Sequence, residues 1–286
     1  MKFFILGCNG MAGHIISLYL KEQGHSVVGF ARTKSIYVDS VVGNAFDTEL
    51  LRKIIVENKF DVVVNCIGML NQFAEQDKAS ASFLNSYLPH FLVEITANIK
   101  TQIIHMSTDC VFSGKKGSYI EDDFCDGETF YDRSKALGEI VDSKNITFRN
   151  SIVGPDINSK GIGLLNWFMK QNEEVNGYTK SIWTGQTTLQ LAKTIEIASL
   201  EKVHGLYNAV PDHSISKYEL LTLFNHYLKD DSLKINPVEG ILADKSLVRT
   251  KYDFNYLIPD YQTMVAELAD WIKNHKHMYP HYNIFN

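Results

Sequence analysis

Three observations predict a doubly wound α/β protein with a smaller C-terminal lobe. Short, continuously apolar runs alternate with segments of helical period through the first half of the chain. Such runs suit parallel strands covered on both faces, and repeated strand–helix units imply right-handed crossovers. The first run ends in glycines at three-residue spacing, "GCNGMAG", and the alternation fades after residue 155 into aromatic and glycine-rich sequence.

Taken in order, residues 3–6 read as a strand, 11–23 as a helix, 26–30 as a strand and 48–58 as a helix. Strand 61–65, helix 79–98, strand 102–106, helix 130–142 and strand 146–150 continue the pattern. Apolar residues recur in the helical segments at three- and four-residue steps. A helix over 188–201 and a strand over 205–210 return to the sheet. Residues 1–155, completed by about 185–210, thus make the expected sheet domain. Residues 156–184 and 211–286 make the expected smaller lobe, with a cleft between the two.

The 286 residues are 45% hydrophobic and 21% charged, an ordinary globular balance. A net charge of −5 with scattered Lys and Arg excludes an electrostatic case for nucleic acid. No run approaches the roughly 18 apolar residues of a membrane span. The opening "MKFFILGCNGMAG" has too short an apolar run for a secretion signal. Cys8, Cys66, Cys110 and Cys125 show neither zinc nor CxxC spacing. Free thiols in a reducing cytoplasm, and no metal site, are expected.

Glycines directly after an N-terminal buried strand permit a tight turn and close approach of a pyrophosphate to a helix N-terminus. Gly7, Gly10 and Gly13 occupy such positions, with Asn9 and Met11 between them. Their spacing is GxxGxxG, so position carries more of the inference than pattern does. The second strand ends in "GFARTKS", with Arg32 and Lys34 and no acid to hold a ribose diol. That favours NADP(H), with NAD(H) as the alternative. Topology places Asp47 and the segment Cys66-Ile67-Gly68 near the adenine and its ribose.

"FYDRSKALGE" carries Tyr131 and Lys135, four apart and on one helical face. A phenol is a poor acid–base group at neutral pH unless a neighbouring ammonium favours its ionised form. Ser107 and Thr108 end the preceding strand and could polarise a carbonyl.

The glycine loop, "STDCVFSG" and "YDRSKALGE" together resemble the extended short-chain dehydrogenase/reductase family. Within it the chain is most similar to the dTDP-4-dehydrorhamnose reductase group of sugar-nucleotide reductases. The likeness continues through "RNSIVGP" and "HGLYNAVPDHSISKYELLTLF". It implies a Rossmann sheet and reduction by NADPH of the C4 ketone of a nucleotide-linked 4-keto-6-deoxy sugar, for cell-surface polysaccharide precursors. Tyr131 would be the general acid, Lys135 would bind the nicotinamide ribose and lower the Tyr131 pKa, and Thr108 would polarise the substrate carbonyl. Ser107 would face the cofactor. Asn85 matches a position near the active site.

Two departures fall where the sugar and nucleotide should sit. Cys110 stands where the rhamnose reductases usually carry tyrosine, and "IWTGQTT" lacks their Gly-x-Pro-Thr turn. A UDP-linked sugar therefore competes with a dTDP-linked one. Cys110, Val111, Trp183 and Arg249 are the expected substrate contacts, with Trp167 a second stacking candidate and Arg249 facing the diphosphate. Cys8, Cys66 and Cys110 should line one rim beside the cofactor. Two alternatives remain: an epimerase or dehydratase of the same family, disfavoured because dehydratases carry Glu at position 110, and a non-catalytic NADP-binding regulatory subunit. The expected partner is a nucleotide sugar; a homodimer is allowed by the sequence, and neither nucleic acid nor membrane is expected.

Overall fold

Seven parallel strands form the central sheet. They are β1 (Lys2–Leu6), β2 (Ser26–Ala31), β3 (Asp39–Val42), β4 (Val62–Asn65), β5 (Gln102–Met106), β6 (Ile146–Arg149) and a last strand, Gly205–Asn208. Their spatial order is Gly205–Asn208, β6, β5, β4, β1, β2, β3, and every pairing is parallel. The computed structural model describes residues 1–254 and 256–282; position 255 and the last four positions of the expected lobe lie outside the described residues. The order reverses between β1 and β4, which opens a crevice beyond their carboxyl ends. This is the doubly wound sheet that the sequence predicts.

The helices α1 (Met11–Glu22) and α2 (Thr48–Asn58) lie where periodicity places them. β3 has no counterpart among the expected strands. It is a four-residue edge strand with no buried position, so it lacks an apolar run to read.

Two helices differ from expectation for identifiable reasons. The segment expected as one helix over 79–98 is Lys78–Ala81, a π-turn at Ser82–Tyr87, and Leu88–Thr96. Pro89 cannot donate to the Asn85 carbonyl four residues back, and the wider turn directly before it absorbs that loss. The helix expected over 130–142 ends at Leu137, capped by Gly138. Beyond the cap, Glu139 turns inward to pair with Arg149 at 2.7 Å.

Beyond β6, the helix Leu164–Met169 and two small sheets make the lobe. Val175–Tyr178 pairs with Ile235–Val238, and Ser181–Trp183 pairs with Ile215–Ser216 and Ala243–Asp244. The helix Tyr261–Asn274 packs against both Thr188–Glu201 and Lys217–Lys229. One apolar cluster runs from Phe3 and Ile15 through Leu191 and Phe224 to Leu268 and Trp271. The lobe and the sheet therefore share a core. Tyr279 returns to α1, where its hydroxyl meets His14 Nε2 at 2.8 Å. Among the described residues, no helix is long and apolar enough to cross a membrane.

Candidate active site

The glycine loop follows β1 at the crevice. Gly7 has φ +81°, a left-handed conformation that a side chain would strain. A Cβ on Gly13 would lie 2.2 Å from the Gly7 carbonyl oxygen, so only glycine lets α1 start so close to the loop. Gly10 caps α1 without any side-chain hydrogen bond, leaving the first backbone N–H groups of a twelve-residue helix for an anion. A Cβ on Gly7 would meet Ile67 at 3.2 Å, which puts the loop against the end of β4. This cradle fits a dinucleotide pyrophosphate. Arg32 and Lys34 are exposed at the end of β2 and make no ion pair among the described residues.

Other expected cofactor contacts carry structural duties. The Asn9 amide donates to Thr33 O at 3.0 Å and ties the loop to the turn after β2. Asp47 accepts from Leu50 N at 3.0 Å as the N-cap of α2. Cys66 N donates to Leu6 O at 3.1 Å, and Ile67 N donates to Asn65 Oδ1 at 3.2 Å. A Cβ on Gly68 would lie 3.2 Å from Asn85 Oδ1, and one on Gly163 2.9 Å from Met11 Sδ. The Ser107 hydroxyl donates to Glu139 Oε1 at 2.7 Å.

Thr108, Cys110 and Tyr131 converge just past β5. Thr108 Oγ1 donates to Asp109 Oδ1 at 3.0 Å and accepts from Cys110 N at 3.2 Å. The helix Phe130–Leu137 presents Tyr131, fixed by a capping box between Thr129 and Asp132. Burial pushes the Tyr131 phenol well up, the Cys110 thiol beside it adds to the rise, and the Thr108 hydroxyl opposes it. Burial also pushes Cys110 itself up to about 12.

Lys135 lies on the same helix face as Tyr131. Its Nζ donates to Met106 O at 2.6 Å and lies 3.5 Å from His105 Nε2. Burial pulls the ammonium down to about 8. A main-chain carbonyl holds this ammonium, and among the influences on the Tyr131 phenol the Thr108 hydroxyl acts to lower it.

Four expectations change. Asn85 is fully buried and bonds Met69 N at 2.8 Å, Met69 O at 3.0 Å and Ser134 Oγ at 3.0 Å, so it splices helix to loop and does not face a substrate. Val111 is also fully buried, packed with Phe112, Tyr119 and Leu247. Arg249 donates to Lys251 O at 2.8 Å, Tyr256 O at 2.7 Å and Phe254 O; its guanidinium staples a loop and is not available to a diphosphate. Cys8 is not on the rim: it is buried beneath Gly29, whose added Cβ would fall 2.5 Å from its Sγ.

Asp109 and Cys110 also border a cleft of about 770 Å³ toward the lobe. Trp167, Tyr178 and Trp183 give it an aromatic wall, while Lys217 and Lys245 face Cys110. Sequence reasoning missed both lysines. Ser216 and Glu219 form a capping box that is legible as S-x-x-E and sets Lys217 as the first residue of its helix. Its direction is not legible there.

The chain matches the family model described as RmlD substrate binding domain over residues 1–253. It is 32% identical over 143 residues to a probable low-salt glycan biosynthesis reductase of Haloferax volcanii, spanning 49% of this chain and 48% of that protein. It is 27% identical over 226 residues to a dTDP-4-dehydrorhamnose reductase of Burkholderia thailandensis, covering 76% of this chain and 73% of that one. A crystal structure of dTDP-4-dehydrorhamnose reductase from Bacillus anthracis in complex with NADP superposes with a TM-score of 0.79. That match covers 95% of this chain and 99% of that one at 18% identity, a likeness of fold. The chain belongs to the RmlD substrate binding domain family, in the dTDP-4-dehydrorhamnose reductase-like branch of the extended short-chain dehydrogenase/reductases.

Proposed function

We propose that the chain is an NADPH-dependent oxidoreductase that reduces the C4 ketone of a dTDP- or UDP-linked 4-keto-6-deoxy sugar, in the supply of cell-surface polysaccharide precursors. The observation that carries this reading is the convergence of Thr108, Cys110 and Tyr131 at the open end of β5, beside a crevice shaped for a dinucleotide. Bound nicotinamide supplies hydride chemistry at the carbonyl carbon. Tyr131, kept neutral by burial, holds a proton for the ketone oxygen as charge develops on it. Thr108 offers a second donor once its hydroxyl turns from Asp109 to the substrate. Lys135, on the same helical face as Tyr131, holds a positive charge at the cofactor side. Arg32 and Lys34 support NADPH over NADH.

Cys110 supports reduction over dehydration. A dehydratase needs a base at that wall to remove the C5 proton. A thiol pushed up to about 12 stays protonated at neutral pH and cannot serve. The names of the Burkholderia and Haloferax relatives agree with a reductase.

The test is oxidation of NADPH in the presence of dTDP-, UDP- and GDP-linked 4-keto-6-deoxy sugars, followed by loss of nicotinamide absorbance. Turnover of at least one is expected. Tight NADPH binding with no oxidation by any of them would overturn the reading in favour of a non-catalytic subunit.

A further inference from the structure

Several half-buried lysines elsewhere in this chain end on main-chain carbonyls, and Lys193 ends on the Glu267 carboxylate at 2.8 Å. Lys144 reaches Thr96 O and Ile99 O, Lys229 reaches Gln171 O, and Lys251 reaches Leu206 O. Lys217 differs. Its helix start is fixed by the Ser216–Glu219 capping box, and its ammonium lies 4.9 Å over the Trp183 ring, on the wall of the cleft. It makes no hydrogen bond to any of the described residues. Burial pulls it down to about 8, and Asp109 acts most strongly against that fall. It therefore remains mostly protonated at neutral pH, a desolvated cation without a hydrogen-bonded partner. Such a charge is costly unless a ligand meets it.

Lys245 lines the same cleft from the opposite segment and likewise donates no side-chain hydrogen bond among the described residues. Two carboxylates share the wall. Glu174 is engaged by Lys234 and Asn236, each at 3.1 Å, and Asp109 accepts from Thr108. The end of the cleft beside Cys110 thus presents two lysines without hydrogen-bond partners among the described residues and one acid, Asp109, an excess of positive charge. Trp183, under the Lys217 ammonium, and Trp167 and Tyr178 line the same cleft.

We propose that Lys217, assisted by Lys245, is the anion-reading point of the cleft and binds an oxyanion of the substrate, the role that the sequence assigns to Arg249. The proposal rests on the nucleotide-sugar reading above and deepens it. A diphosphate flanked by sugar and base matches a cleft whose lining combines Cys110, two lysines and three aromatic rings, with one lysine set over Trp183. A carboxylate on the sugar ring is the other source of the same chemistry.

The test is calorimetric titration of NADPH-saturated protein with UDP and dTDP, with uridine and thymidine, and with glucuronate. Each effective nucleoside diphosphate should bind at least about tenfold more tightly than its nucleoside. Lys217→Met, which keeps the stem over Trp183, should remove most of that gain and leave nucleoside and NADPH affinity unchanged. Lys217→Arg should keep the gain, and Lys245→Met should lose a smaller part. Loss of glucuronate binding alone in Lys217→Met would also support the anion point and assign it to a ring carboxylate. The proposal is overturned if both methionine variants, with native melting temperatures, bind UDP, dTDP and glucuronate as the native protein does, or if none of these anions binds. Its failure is separate from that of the reductase reading, which NADPH oxidation decides.

Discussion

The proposed cofactor side of the site is made largely within one stretch of chain, from β1 through the glycine loop to α1, with the end of β4 pressed against it. The substrate side is assembled from pieces far apart in sequence: Asp109 and Cys110, the strand Ser181–Trp183, the start of the helix at Lys217, and Lys245. On the first side the polar side chains are mostly tied to backbone, as with Asn9, Asp47 and His14. On the second, Lys217 and Lys245 reach the cleft without hydrogen-bond partners among the described residues. The difference teaches where to look for function in a chain of this kind. A cofactor wall is read by backbone shape, and a substrate wall by side chains whose polar ends the protein itself leaves unmatched.

The largest expected effect comes from the residue between the two sides. Tyr131→Phe removes the proton donor and leaves the ring in place, so turnover should fall by about 10²–10⁴-fold while NADPH affinity stays within twofold. Stopped-flow NADPH oxidation and fluorescence titration of the cofactor would measure the two numbers. Comparable turnover in the variant would remove Tyr131 from the chemistry.

Next is the ion pair beneath both sides. Glu139 and Arg149 are 7% and 5% exposed, joined by two contacts of 2.7 Å, and Glu139 also accepts from Ser107. Glu139→Gln leaves the buried guanidinium uncompensated and should cost about 3–5 kcal/mol in urea unfolding. The same variant replaces the carboxylate acceptor of the Ser107 hydroxyl with a weaker amide oxygen. A change in NADPH affinity beyond the stability loss would bring Ser107 back to the cofactor side.

The geometry of the glycine loop was legible in the sequence because its determinants are local. Gly7 and Gly13 can be placed from a strand followed by glycines, and Tyr131 with Lys135 from helical spacing alone. The substrate side was legible only in part. Cys110 and Trp183 do border the cleft, but Val111 turns into the core because Asp109–Val111 form a 3₁₀ turn that sends adjacent side chains apart. Lys217 could be placed at a helix start but not aimed, because its direction depends on Trp183 from another element. Arg249 misleads for the same reason: the carbonyls that claim it belong to a loop wrapped around its own guanidinium.

A pH titration sharpens the comparison on the cofactor side. His14 Nδ1 bonds Gly10 O at 2.9 Å and Nε2 bonds the Tyr279 hydroxyl at 2.8 Å, so the ring is wired into the glycine loop. Burial pulls His14 from 6.5 down to about 4. Between those values the unfolded chain binds the extra proton, so stability rises with pH across the window and falls as pH drops through it. The loss between neutral pH and pH 4 should be about 3 kcal/mol from this group. Urea midpoints against pH should show it, and His14→Gln should flatten the slope. An unchanged slope in that variant would assign the acid sensitivity elsewhere, with the buried His105 the next candidate.

The smallest effect is expected at Arg249, and it separates the two kinds of cation most directly. Arg249 is 8% exposed and gives its donors to three main-chain carbonyls. Arg249→Met should therefore lower stability by about 1–3 kcal/mol through carbonyls left without donors, and should change nucleoside diphosphate affinity less than twofold. Lys217→Met should do the opposite, because no main-chain group depends on that ammonium. Urea denaturation and calorimetry on the same two variants form a cross-comparison with one informative reversal. If Arg249→Met loses diphosphate affinity at unchanged stability, the loop it staples belongs to the substrate wall, and the division between matched and unmatched cations fails at that point.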